Sequence, residues 1–301
     1  MTQLGWQEKW TLRFAVVGLL FLALAGFEGL LMRTQQYDLN ALTPMEGVLN
    51  TVRFGAEPSP EELYYSMMTA HPIVGIYGFV YMAIMGAFYF LVPYLLGRKE
   101  VRHKKLVWIN FALQPIGVLI CWGAGFFGMF SALYTLYWPL PVAYDRVPLL
   151  GSIAFMVGAA IIMVNILLFA YNLFSTVLSK SNPRAYSFWA FLRSAYGIPR
   201  LLKLLGKEDK SAPNLDYNGL PVFLVAVGRG SIDTVINAFV LLTAGVLILV
   251  YGLAALVQAP LDPGAVNALV YKNWFWWGLD MVADGNVLIY TAGIWYLLIP
   301  L

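Results

Sequence analysis

Five ionisable side chains fall inside long apolar runs of the chain: Glu28, His71, Asp233, Asp280 and Asp284. An ionisable group at membrane depth is costly, so it marks a functional site unless a structural partner explains it. His71 sits in Met-Met-Thr-Ala-His-Pro-Ile-Val-Gly, about one turn into its run. A neutral imidazole in a helical bundle either satisfies a core or interface hydrogen bond or serves as an axial ligand to haem iron. Pro72 lacks a backbone N–H and bends the start of the helix. Gly75, Gly78 and Gly86 further on admit a flat cofactor or a close neighbouring helix. Asp280 and Asp284 lie in Phe-Trp-Trp-Gly-Leu-Asp-Met-Val-Ala-Asp-Gly. Their i, i+4 spacing places them one turn apart and about 40° around a helix. Two bare carboxylates that close repel, so one protonates or a cation sits between them. The pair is therefore either a protonated, hydrogen-bonded pair at a helix start, or a metal or proton-handling site. Hard oxygen ligands favour iron, manganese or magnesium over Cu(I). Asp233 follows Gly230-Ser231 at a helix start, where a carboxylate offsets the helix dipole. Glu28 either faces a water-filled cavity or pairs with a neighbour. His103, in Arg-His-Lys-Lys, reads as a surface residue.

The elements that must position these groups are transmembrane helices. The chain has 301 residues, 60% apolar and 12% charged, against about 45–50% and about 25% in soluble domains. Its mean hydropathy is +0.70. These values exclude an ordinary soluble enzyme, a disordered chain and a nucleic-acid binder. Runs long enough to cross a bilayer cover 12–32, 67–97, 106–130, 149–176, 231–257 and 275–299, which predicts an all-α, polytopic bundle of six spans forming one domain. Of the 19 Lys and Arg, fourteen lie at the N-terminus, between Arg98 and Lys105, or between Lys180 and Lys210. The positive-inside rule puts those ends, and the N-terminus, in the cytoplasm. The polar stretch 177–217 is a basic cytoplasmic loop lying on anionic headgroups. The first span lacks a cleavage site and is not a signal peptide. Spans two and six both run inward, so His71 and Asp280 are expected at one depth, roughly 6–8 Å below the outer boundary. The single Cys121 allows no intrachain disulfide, and two His make the chain poor in imidazole ligands.

Three stretches carry a family resemblance. Thr69-Ala70-His71, with Gly-Ala-Phe-Tyr-Phe-Leu-Val-Pro from Gly86 to Pro93, resembles the second helix of the haem–copper oxidase catalytic subunit. Tyr134-Thr135-Leu136-Tyr137-Trp138-Pro139-Leu140 resembles that family's Gly-Trp-Thr-x-Tyr-Pro-Pro-Leu signature, with Leu133-Tyr134 for Gly-Trp and Trp138 for one Pro. Phe275-Trp276-Trp277 resembles the opening of its sixth helix, and the fourth span, with Gly158 and Asn165, fits loosely. The resemblance implies that His71 is the axial ligand of a low-spin haem. It also implies a high-spin haem beside a second metal. In the family's oxygen reductases the sixth helix commonly reads His-Pro-x-Val-Tyr, and in its nitric oxide reductases His-x-x-x-Glu-Gly on a non-haem iron. This chain reads Asp280-Met281-Val282-Ala283-Asp284-Gly285. The carboxylate-then-Gly resembles the nitric oxide reductase pattern with Asp for Glu, and Asp280 departs from the His of both branches.

By that resemblance the chain is a catalytic subunit that reduces two NO to N2O and water. Asp280 and Asp284 then serve as catalytic residues and as ligands of a non-haem iron, with copper as the alternative metal. Asp284 also delivers protons. The implied electron donor is cytochrome c or quinol, with further subunits, in the inner membrane of a prokaryote. Two other functions stay open: an oxygen-reducing cytochrome c or quinol oxidase subunit I, and a non-redox transporter or assembly protein with His71 and both Asp in a proton path. The family's catalytic subunit has about twelve helices, and its later ones carry the remaining His ligands. With only His71 and His103, these residues are expected to form the N-terminal half of such a subunit, cut after Ile299-Pro300-Leu301 and inactive alone.

Overall fold

A computed structural model describes residues 4–42, 59–130, 149–179, 188–189, 193, 198–207, 267, 269–270, 273 and 281–298. Among these residues every regular element is helical. Helix α1 covers Trp6–Tyr37 and α2 covers Pro60–Pro72. A wide π-wound segment, π1, follows over Ile73–Val80 and continues as α3, Tyr81–Leu95. Then come α4, Lys104–Phe126, α5, Leu149–Val177, and the short α6, Ile198–Leu204. A second wide segment, π2, Met281–Gly285, leads into α7, Asn286–Leu298. Four helical stretches among the described residues are long and apolar enough to cross a membrane: Trp6–Tyr37, Pro60–Tyr94, Lys104–Phe126 and Leu150–Val177. These match the first four runs expected from the sequence. The fifth run, Asp233, the signature around Tyr134–Leu140 and most of the basic loop lie outside the described residues.

The second crossing is one rod made of α2, π1 and α3. It starts on a capping box: the Ser59 side chain accepts from the Glu62 N–H at 3.2 Å, and the Glu62 carboxylate accepts from the Ser59 N–H at 2.9 Å. Pro60 at the first helical position removes one N–H that would lack a partner there. Inside the rod Pro72 cannot donate to the preceding turn. The chain widens into π1 directly after it, and wide turns of this kind recur at functional sites,.

Small residues let the helices close on one another. A Cβ at Gly78 would stand 2.7 Å from the Phe21 ring, and one at Gly86 would stand 2.9 Å from Phe14 Cβ. The glycines of the second span therefore accommodate α1, not a cofactor. α4 and α5 pack most closely of all, through Gly117, Cys121 and Gly158. A Cβ at Gly158 would lie 2.6 Å from Cys121 Sγ and 2.8 Å from the Gly117 carbonyl oxygen. Gly158→Leu is expected to force this pair apart at a cost of about 1–3 kcal/mol or more. Thermal unfolding in detergent should show it, and an unchanged midpoint would contradict this packing.

A buried polar ladder ties the same helices together. Asn110 donates to Asn165 Oδ1 at 2.6 Å, and Asn165 donates to Gln114 Oε1 at 2.8 Å. Gln114 donates to the Tyr77 carbonyl at 2.8 Å. The Tyr89 hydroxyl donates to Asn110 Oδ1, and Asn172 exchanges bonds with the His103 backbone. With few hydrophobic forces between helices in lipid, such interhelical bonds and close packing hold the bundle. His103 is accordingly not the free surface group expected from its basic neighbours. Its ring stacks on Tyr171 with centroids 5.6 Å apart, because Asn172 fixes its backbone against α5.

Candidate functional site

His71 closes α2 where Pro72 turns the winding wide. Its Nδ1 lies 3.0 Å from the Ala25 carbonyl oxygen of α1. A carbonyl only accepts, so Nδ1 carries the proton in this bond and Nε2 presents its lone pair. The ring is half-buried. Gly29, one turn beyond Ala25, flanks it: a Cβ there would stand 3.5 Å from His71 Cε1. A carbonyl that orients an imidazole through one nitrogen and frees the other is the usual support for a metal-ligating histidine.

Glu28, left open by the sequence, shares this stretch of α1. It is fully buried, and the Trp122 indole N–H of α4 donates to its Oε1 at 2.7 Å. Its Oε2 has no hydrogen-bond partner among the described residues. Trp122 in turn stacks on Phe126 and meets Phe127 edge-on. The pairing arm of the two sequence readings is therefore the observed one: Glu28 is held by a neighbouring helix. No sequence signal pairs the two, since 94 residues separate them.

Asp284 belongs to π2, whose Val282 is buried and whose following residue, Asn286, is fully buried. Asp284 itself is exposed, as are Met281 of π2 and Leu288 and Trp295 of α7. The segment thus seats Val282 and Asn286 in the described bundle and leaves Asp284 on its exposed side. The seat is Tyr81, at the start of α3, whose hydroxyl donates to the Val282 carbonyl. Tyr290, also fully buried, adds an edge-on contact to Phe88. Asp280 lies outside the described residues.

The structure therefore places His71 against α1 and Asp284 on an element packed against α3, and it does not bring the two side chains together. Tyr81 is ten residues beyond His71 on one rod, so the Val282 tie sits further along the rod from His71 by roughly 15 Å at α-helical rise. The expectation of one shared depth concerns His71 and Asp280, and Asp280 lies outside the described residues. Among the described residues no group of three or more His, Cys, Asp or Glu could hold a metal ion.

His71 fits an axial ligand to haem: its Nδ1–H is occupied by a carbonyl and its Nε2 is free to bind,. Asp284 offers one hard oxygen donor, and the described residues do not close a second metal centre around it.

The family model described as "Cytochrome C and Quinol oxidase polypeptide I" matches residues 9–301. A curated relative, "Cbb3-type cytochrome c oxidase subunit CcoN1" of Stutzerimonas stutzeri, is 28% identical over 179 residues, which is 55% of this chain and 32% of that protein. The chain thus matches about a third of that relative's length. No solved structure matches the chain.

Proposed function

Since the chain belongs to the cytochrome c and quinol oxidase polypeptide I family, a family of haem-bearing membrane oxidoreductases, we propose that it is the part of a respiratory terminal reductase that holds the low-spin haem and one carboxylate wall of the reaction centre. The proposed reaction is the two-electron, two-proton reduction of two NO to N2O and water. One observation carries the choice of NO: in the segment that resembles the sixth helix, Asp284-Gly285 stands where the oxygen-reducing pattern has a tyrosine.

The haem, when bound, supplies one-electron transfer to the reaction centre. His71 would hold it through Nε2, while the Ala25 carbonyl fixes the ring through Nδ1. Asp284 contributes a carboxylate oxygen that holds a proton and releases it toward the substrate, or that binds a second metal together with Asp280. The buried Glu28 is kept in place by Trp122 beside the His71 wall of α1. Electrons come from cytochrome c or quinol, further subunits complete the enzyme, and its membrane is the inner membrane of a prokaryote.

The relative's name favours a second reading, reduction of oxygen, because that protein is a cytochrome c oxidase subunit. The test is turnover by the intact complex purified from membranes and supplied with a reduced donor. Isotopically labelled NO should appear as labelled N2O at a rate well above oxygen uptake. Rapid oxygen uptake with no N2O would replace the first reading by the second.

A further inference from the structure

Both wide segments have a carbonyl pinned by a side chain from a neighbouring element. In π1, Gln114 of α4 donates to the Tyr77 carbonyl at 2.8 Å. In π2, the Tyr81 hydroxyl donates to the Val282 carbonyl. Asn286, fully buried at the start of α7, also interacts with the Tyr81 hydroxyl. Tyr81 is fully buried, and its ring stacks on Tyr77 with centroids 5.6 Å apart and planes 6° from parallel. A wide turn disturbs the regular backbone ladder, and a buried carbonyl displaced from that ladder needs another donor. Tyr81 supplies it at the residue two before Asp284.

We infer that Tyr81 is a positioning residue for Asp284: its hydroxyl, bonded to the Val282 carbonyl, locks the rotation of π2 so that Val282 and Asn286 stay buried and Asp284 stays on the exposed side. The inference rests on the reading of Asp284 as part of the reaction centre. Val282 and Asn286 face the bundle and Asp284 does not. Releasing the tie leaves π2 free to rewind as a regular helix, which rotates every later side chain around the axis. Because Tyr81 follows π1 directly, the rod that presents His71 also sets the angle of Asp284.

Tyr81→Phe keeps the ring, its stack and its volume, and removes only the hydroxyl. In the intact haem-loaded complex, hydrogen exchange over residues 281–290 is expected to rise about tenfold, the loss of roughly one hydrogen bond. Exchange over α4 and α5 should stay unchanged, as should the low-spin haem band. The ratio of second metal to low-spin haem should fall, and the pH profile of turnover should shift. Unchanged exchange over 281–290 would overturn the inference. So would a rise in exchange across every helix, which would mean general packing. So would local loosening with an unaltered metal ratio and pH profile, which would mean that the tie holds backbone but not the carboxylate. If the Phe variant does not assemble, Asn286→Ala removes the buried amide that interacts with the same hydroxyl and is read identically. A wild-type complex without any second metal would refute the reading of Asp284 as a ligand, and the exchange and pH arms would still decide the tie.

Discussion

Replacing His71 with leucine should abolish the low-spin haem. In the intact complex, His71→Leu is expected to reduce the low-spin α band below about a tenth of its wild-type intensity, because haem iron held by an axial imidazole has no substitute donor in an aliphatic side chain. The geometry makes this sharper than a generic buried-histidine substitution. Ala25 already takes the Nδ1 proton, so a purely structural histidine would use that bond alone, and its loss would cost stability without touching the spectrum. His71→Gln can still donate toward Ala25 but lacks an imidazole nitrogen. It separates the two roles: the band should disappear while the complex still assembles. A full band in the leucine variant would remove His71 from the haem site.

The second large effect belongs to Asp284. Asp284→Asn keeps shape and hydrogen-bonding capacity but cannot hold a proton or an anionic charge. General acid–base groups contribute about 10²–10⁴-fold to rate, so turnover should fall by about 10²-fold or more, measured as N2O formed per low-spin haem. The fold predicts that this substitution does not disturb the bundle, since Asp284 is exposed on π2 while Val282 and Asn286 make the buried seat. Thermal unfolding should therefore stay near that of the wild type. Asp284→Glu restores the residue of the pattern that the segment resembles and should recover much of the rate. Equal rates in Asn and wild-type complexes would take Asp284 out of the chemistry.

Much of this architecture was legible from the residues. Apolar runs overlap the four described apolar helices, with ends that differ by up to seven residues, because lipid imposes a length and a composition on each helix. His71 stood out because a histidine in such a run is costly. What stayed hidden depends on contacts between distant segments. Nothing near Glu28 in the chain announces Trp122, and nothing near His103 announces the stack on Tyr171. The glycines of the second span were read as room for a cofactor or a helix, and only packing shows that Phe14 and Phe21 of α1 fill it. Pro72 signalled a disturbed helix, but hydropathy carries no record of winding, so neither π1 nor the grip of Tyr81 on π2 could be read from composition or period. The i, i+4 reasoning for Asp280 and Asp284 assumed a regular helix; Asp284 lies in the wide-wound π2, and Asp280 lies outside the described residues.

The reading of the centre as one for NO stands or falls on its second metal. Elemental analysis of the intact complex, purified with its haems, measures it directly. The account predicts about one non-haem iron for each low-spin haem and no stoichiometric copper, as hard carboxylate donors require. One copper per low-spin haem, with no iron beyond that in haem, would contradict it.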